Sequence, residues 1–291
     1  MSTPAISVVV STYQWPEALD VVLHALYEQS DRDFDVVVAD DGSGPATADV
    51  VRRWQSAFAG DLDHVWQEDA GWRKSRILNL AALRAPGDYL VHLDGDSVPR
   101  KGFIRSLRRA AIPGWFVASK RLNMSAAFSR RVIEDRLPVW RWSALRWLVG
   151  SPRELFAAHR ETGRRPGVLL PMRDRRRPWR PGGTEFSPPF NAFGFCLGVS
   201  RRDFERVNGF DMRFVGWGTE DVDIAIRLRR LGLKCGWPGP DASMLHLWHP
   251  PKRGTTKSNV PLREETEGST RVAAVEGLRE LSAELANERV R

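Results

Sequence analysis

A chain of 291 residues with 42% hydrophobic and 27% charged residues is an ordinary globular protein, long enough to bury one large core or two modest ones. Cys196 and Cys235 stand alone, which excludes a disulfide framework or structural zinc site, and no apolar run reaches the roughly 18 residues of a membrane span, so a cytoplasmic protein is expected. The formal net charge of +8 favours polyanionic partners: nucleic acid, an anionic lipid surface or a phosphorylated substrate.

In chain order, the first third alternates short β-branched runs with amphipathic stretches, the sequence form of βαβ units on a mostly parallel sheet. Strands are predicted over 6–11, 34–39, 64–67 and 89–93, and helices over 16–28, 46–58 and 74–84, with Pro16 and Pro45 at helix starts. The strands lead into three polar loops, Ser11-Thr12-Tyr13, Asp40-Asp41-Gly42-Ser43 and Asp94-Gly95-Asp96. These should face one crevice, because ligands of open α/β sheets bind outside the carboxyl ends of strands. From 123 to 189 the alternation lapses, and arginines crowd 129–180 together with Trp140, Trp142, Trp147 and Trp179. Order resumes at Phe193, with a helix predicted over 220–231, a strand over 243–247 and a polar loop over 252–267. A charged amphipathic helix over 272–290, expected to pack weakly, ends the chain. The composition thus divides the chain at 1–122, 123–189, 190–250 and 251–291.

Asp94-Gly95-Asp96 follows an apolar strand. Two carboxylates at a strand end, with Gly95 allowing close backbone approach, suit a hard divalent cation, Mg²⁺ or Mn²⁺, that also holds phosphate oxygens; taken alone, such a triplet is more often a polar turn. The second loop, Asp40-Asp41-Gly42-Ser43, suits carboxylates presented to a ribose or a base edge, and equally a turn that starts a helix. Two acidic loops at adjacent strand ends repel unless something positive lies between them; a metal ion meets that need, and so do Arg73 and Lys74. The run Gly216-Trp217-Gly218-Thr219-Glu220-Asp221-Val222-Asp223 is a glycine loop entering a helix. The helix dipole accounts for its acids but not for its glycine-tryptophan frame. An aspartate near its ordinary pKa of about 3.9 is ionised at working pH and suits a base that deprotonates a hydroxyl. His246 and His249 follow the last strand and are suited to complete a carboxylate metal site, His246 more directly because it ends the strand.

Together these residues resemble the family 2 glycosyltransferases of the GT-A fold. The resemblance runs through Ile6 to Tyr13, Asp40 to Ser43, Asp94 to Asp96, the Asn208-Gly209-Phe210-Asp211 turn, Gly216 to Asp223 and His246. The Gly-Trp-Gly and Glu-Asp portion also looks like a galactosyltransferase C-terminal motif and its counterpart in chondroitin-type polymerases. It implies one α/β module, a mostly parallel sheet flanked by helices, with a nucleotide-sugar-binding half over 1–122 and an acceptor and catalytic half over 190–250. Ser11, Thr12, Tyr13 and Asp41 would hold the nucleotide, Arg73 and Lys74 would approach its phosphates, and Asp94 with Gly95 would meet the ribose or the metal. Asp96 would be the main metal ligand, completed by His246 and, next to it, His249. Asp221 would be the catalytic base, Glu220 would orient donor or acceptor, and Trp217, framed by Gly216, would stack on a sugar ring. The reaction implied is inverting transfer from a nucleotide diphosphate sugar, UDP preferred, to a saccharide or lipid-linked saccharide in envelope or surface polysaccharide synthesis.

The basic, tryptophan-rich stretch around 139–149 has no counterpart in that resemblance. It fits equally a helix lying in a lipid headgroup layer, which would make the enzyme peripheral on the inner membrane face, and a helix packed over the acceptor cleft. Interleaved arginine and tryptophan also suit a nucleic-acid-binding protein, but no nucleic-acid module is recognisable and the acidic loops oppose a phosphate backbone, so nucleic acid is not expected as a partner. A catalytically silent sugar-nucleotide-binding module and a nucleotidyltransferase are the other readings; the second leaves the Trp217 to Asp221 frame unexplained. Neither GxGxxG after the first strand nor a P-loop is present.

Overall fold

Strand β1 (Ile6–Thr12) is apolar on both faces, turning Ile6, Val8 and Val10 to one core and Val9 to a second. Strand β2 (Phe34–Asp40) does the same with Val36 and Val38 against Val37 and Ala39. Such near-continuous valine runs suit parallel strands buried between two helix layers. The computed structural model, which describes residues 4–58, 61–151, 196–250 and 255–288, has that architecture. β3 (Leu62–Trp66), β4 (Tyr89–Asp94), β6 (Trp115–Ala118), β8 (Cys196–Ser200) and β9 (Lys234–Gly236) complete a seven-stranded sheet of order β3-β2-β1-β4-β8-β6-β9. Its neighbours pair in parallel except β8, which runs against both β4 and β6.

Helices Pro16–Tyr27 and Phe103–Ala110 bury their apolar faces in the first core, and helices Lys74–Arg84 and Glu220–Arg230 in the second. A second sheet of three short strands, β5 (Ser97–Pro99), β10 (Met244–His246) and β7 (Arg121–Asn123), has β10 at its centre. Element boundaries in the first half differ from the sequence reading by one or two residues, where helix ends fray and strand ends run into turns.

Three expectations are corrected. The span read as polar loop contains a helix, Asn259–Gly268, which the sequence hides because it has little apolar periodicity and carries an early Pro261. It is held by packing on Glu220–Arg230 and by the Thr266 hydroxyl donating to Asp223. The terminal helix is shorter, Leu278–Glu288, and docks firmly: Leu278 and Leu281 are buried, Arg76 pairs with Glu284 at 2.6 Å, and Asn208 donates to Glu280 at 2.8 Å. The tryptophan stretch is a short 3₁₀ turn at Val139–Arg141 followed by the helix Ala144–Gly150, and Trp140, Trp142 and Trp147 are all buried in the first core, the last two against Phe128. These rings therefore lie neither in a headgroup layer nor over the cleft, and none is presented to stack on a base. Trp179 and the stretch 152–195 lie outside the described residues. Among the described residues no helix is long and apolar enough to cross a membrane.

Within the second core, Arg227 and Asp223 form an ion pair at 2.6 Å with neither side chain exposed. Arg227 also donates to the carbonyls of Val207 and Gly209. Removing one partner of such a pair strands a buried charge, so Asp223→Ala is expected to lower unfolding stability by about 3–5 kcal/mol in chemical denaturation.

Candidate active site

Three ends of the large sheet's strands and two helix starts converge on a cleft of about 690 Å³. From the end of β1 and the residue after it come Ser11, Thr12 and Tyr13, from the loop after β2 Asp41, and from the end of β4 and the turn after it Asp94, Gly95 and Asp96. Helix starts supply Lys74 on one side and Glu220 and Asp221 on the other, and Trp217, His246 and His249 complete the predicted residues on its wall. Two predicted residues are not on it: the Arg73 side chain turns to the Glu68 carbonyl, and Gly216 shapes the loop from behind.

The aspartates in each acidic pair have different surroundings. Asp40 is consumed by its turn, accepting from the Ser43 amide at 2.8 Å and lying 3.1 Å from His64. Asp41 faces the cleft, steadied by the Gln67 amide and by the Arg73 backbone N–H at 2.9 Å; burial raises its pKa against both donors. Gly95 lies against Ser11, whose carbonyl accepts its N–H at 2.8 Å; an added Cβ would meet that oxygen at 2.6 Å, so only glycine fits here. Asp94 accepts from the Lys74 ammonium at 2.6 Å and from the Ser11 hydroxyl at 3.2 Å. Asp96 instead faces two imidazoles, with His246 Nε2 and His249 Nε2 each 3.4 Å from its Oδ2.

This second contact is made by the small sheet. β10 runs antiparallel to β5 with His246 opposite Ser97, and the Leu247 N–H donates to the Asp96 carbonyl at 2.9 Å. The chain thus brings residues 150 positions apart into register at the end of the Asp94-Gly95-Asp96 turn. His249 Nδ1 lies 3.0 Å from the Pro250 carbonyl, which leaves Nε2 as the ring nitrogen that faces Asp96. Burial by itself raises the Asp96 carboxyl, but His246 and His249, aided by Arg121, hold it well below the usual carboxylate range. Asp96, His246 and His249 offer ligand atoms all within 4.8 Å of one another, and Asp94 is not part of that group. One carboxylate and two imidazoles fit Mn²⁺-like ions better than the oxygen shell Mg²⁺ prefers.

Opposite these lies an acidic helix start. The backbone of Gly216, Gly218 and Thr219 has positive φ (87°, 103° and 76°), unusual for threonine and maintained by the following segment. The Thr256 hydroxyl accepts from the Trp217 N–H at 2.8 Å, and Asn259 donates to the Gly218 carbonyl at 3.0 Å. Glu220 is buried, with Lys74 Nζ 3.8 Å from its Oε1. Burial pushes the Glu220 carboxyl up to about 7, with Lys74 opposing and Asp221 adding to the rise. Burial likewise raises Asp221 above the ordinary value expected from sequence, again against Lys74. The Lys74 ammonium is desolvated, yet Asp94, Glu220 and Asp221 together hold its pKa above the ordinary value.

The sequence reading missed Trp15, Trp72, Arg121, Thr255 and Arg263 on the cleft wall. Trp72 adjoins the predicted basic pair and was within reach of sequence reasoning. Arg121 and Arg263 sit in motif-free stretches that only β7 and the helix Asn259–Gly268 bring to the site.

Residues 7–136 match the profile described as glycosyl transferase family 2, and residues 186–250 match that described as the N-terminal domain of galactosyltransferase. With the fold and this site, the chain belongs to the family 2 glycosyltransferases of the GT-A fold. It is similar to a validoxylamine A glucosyltransferase of Streptomyces hygroscopicus subsp. jinggangensis, 32% identical over 79% of this chain and 52% of that protein. It is also similar to a chondroitin synthase of Escherichia coli, 24% identical over 84% of this chain and 35% of that protein. The chain thus spans about half the length of the first relative and about a third of the second. In fold it is similar to the mannosyltransferase PcManGT of Pyrobaculum calidifontis, solved with GDP-Man and Mn²⁺, at TM-score 0.54 and 21% identity over all of this chain and 76% of that one.

An acid whose pKa is higher in the folded chain than in the unfolded one binds more protons when folded, so stability falls as pH rises between the two values. For Glu220 that window runs from the ordinary 4.5 to about 7. In metal-free buffer, denaturation midpoints of the native chain should fall across this window, and Glu220→Gln should flatten that fall; parallel pH profiles for the two would contradict the assignment.

Proposed function

We propose that the protein is an inverting glycosyltransferase that moves a sugar from a nucleotide diphosphate donor, UDP-linked by preference, to a hydroxyl of a saccharide or lipid-linked saccharide. The observation carrying this reading is that a carboxylate-imidazole group and a carboxylate base open onto one cleft: Asp96, His246 and His249 at the strand ends, Asp221 at the helix start. Its volume of about 690 Å³ suits a nucleotide sugar with part of an acceptor.

In this reading Thr12, Tyr13 and Asp41 receive the nucleotide and Asp94 its ribose. Asp96, His246 and His249 would hold a divalent cation, Mn²⁺ before Mg²⁺, which when bound offsets charge on the leaving diphosphate. Trp217, partly exposed at the cleft, forms a wall for a sugar ring, and Glu220 steadies the helix start. The acceptor hydroxyl attacks the anomeric carbon from the face opposite the diphosphate; the new C–O bond forms as the sugar–phosphate bond breaks, and the hydroxyl proton passes to the Asp221 carboxylate. The raised pKa of Asp221 makes it a stronger proton acceptor than an exposed aspartate. Work in envelope or surface polysaccharide synthesis would follow from such an acceptor. Any peripheral membrane contact would use Leu145 and Val149, exposed and one helical turn apart, rather than the buried tryptophans.

Calorimetric titration of UDP and GDP with and without Mn²⁺ tests the donor site. Binding of one nucleotide that requires the metal and is lost in Asp96→Ala is expected; no binding of either under any metal condition would remove the main support for the reading. With a nucleotide sugar that is turned over, Asp221→Asn should lower kcat by about 10²–10⁴-fold while donor affinity stays within a few fold.

A further inference from the structure

Behind the cleft, between β4 and the helix start at Glu220, lies a recess of about 20 Å³ lined by Ser11, Lys74, His92, Asp94, Glu220 and Asp221 among others. None of the motifs above includes His92. It precedes Asp94 by two positions on β4, so its side chain leaves the strand on the same face as the Asp94 carboxylate. The imidazole is 5% exposed and wedged between Phe204 and Phe210, with ring centroids at 5.1 and 5.0 Å. Among the described residues neither ring nitrogen has a hydrogen-bond partner, and the same is true of the second Glu220 carboxylate oxygen, Oε2, on the same recess.

Each buried polar atom left unpaired costs about 1–3 kcal/mol, and native proteins meet such groups with ordered water where the space is polar and holds at least about 10–15 Å³. The recess exceeds that volume, and although Leu78, Leu93, Leu197 and Phe210 form much of its wall, it carries the unpaired polar atoms of His92 and Glu220, which one water matches. Water has two donors and two acceptors; a neutral imidazole offers one of each, and a carboxylate oxygen accepts. We propose that this recess holds a single structural water bridging His92 to Glu220 Oε2, and that His92 is thereby a positioning residue for the Glu220-Asp221 helix start. Lys74 then holds Glu220 through Oε1 and the water holds it through Oε2, so the carboxylate has one orientation and the adjoining Asp221 a fixed aim into the cleft. The water bridge stands on the recess alone; its catalytic consequence rests on the transferase reading.

The test has two arms. In a crystal structure of the full chain at a resolution that shows ordered water, density in the recess within about 2.7–3.2 Å of a His92 nitrogen and of Glu220 Oε2 is expected. An empty recess, or a direct His92–Glu220 bond, overturns the bridge. In the second arm, His92→Phe keeps a ring between Phe204 and Phe210 and removes both nitrogens, whereas His92→Asn keeps a polar group. His92→Phe should melt at or above the native temperature yet lose kcat by roughly tenfold, about one hydrogen bond, with donor KM unchanged, and His92→Asn should recover most of kcat despite a lower melting temperature. Native kcat in His92→Phe, or losses that follow melting temperature in both variants, would reduce His92 to a packing residue. A native chain that binds no nucleoside diphosphate and turns over no nucleotide sugar counts against the transferase reading instead, and the crystallographic arm still decides the water.

Discussion

The site depends on one buried ammonium. Lys74 begins the helix behind β3 and reaches between Asp94, at the end of β4, and Glu220, at the start of another helix. Without it, Asp94, Glu220 and Asp221 would crowd unscreened negative charge into a partly desolvated space, and the carboxylates would protonate rather than stay available. With it, the end of β4 and the acidic helix start are joined by a single charge. Its pull on Asp94 also separates the work of the two aspartates in the Asp94-Gly95-Asp96 turn: one is bound to the lysine and the other faces the histidines.

Imidazoles reach Asp96 through backbone geometry rather than through a local motif. A three-residue strand, β10, sits between β5 and β7, and its antiparallel register against β5 decides that His246 stands by Asp96. A slip of one residue would turn His246 to the opposite face. The acidic loop is likewise held from outside: the positive-φ backbone of Gly216, Gly218 and the strained Thr219 persists because Thr256 and Asn259 bond the Trp217 and Gly218 backbone and because the buried Asp223–Arg227 pair ties the helix to the Asn208-Gly209 turn. Strain of this kind needs surroundings that over-determine it.

The parts legible in the sequence were those with a local physical signature. Valine runs buried on two faces mark parallel strands, Pro16 and Pro45 mark helix starts, and polar triplets after apolar runs mark strand ends that share a crevice. Helix Lys74–Arg84 was read to the residue because its apolar period is regular and its ends are charged. Where the local signature was weak the reading failed: Asn259–Gly268 has little periodicity of its own, and the tryptophans near 140 fit a membrane, a nucleic acid and a core until Phe128 was seen to pack against two of them.

By itself the sequence determined the α/β class, which follows from residue type and period along the chain, and its motifs in their order carried the resemblance to the family 2 glycosyltransferases that picked out the candidate residues. Tertiary structure decided how those residues divide the work. It paired Asp94 with Lys74 and Asp96 with two histidines, turned Arg73 outward, brought Arg121 and Arg263 to the cleft, and raised Glu220 and Asp221 by burial. Those assignments depend on distances between residues far apart in sequence and on the water each one loses, and neither quantity is written in the local order of amino acids.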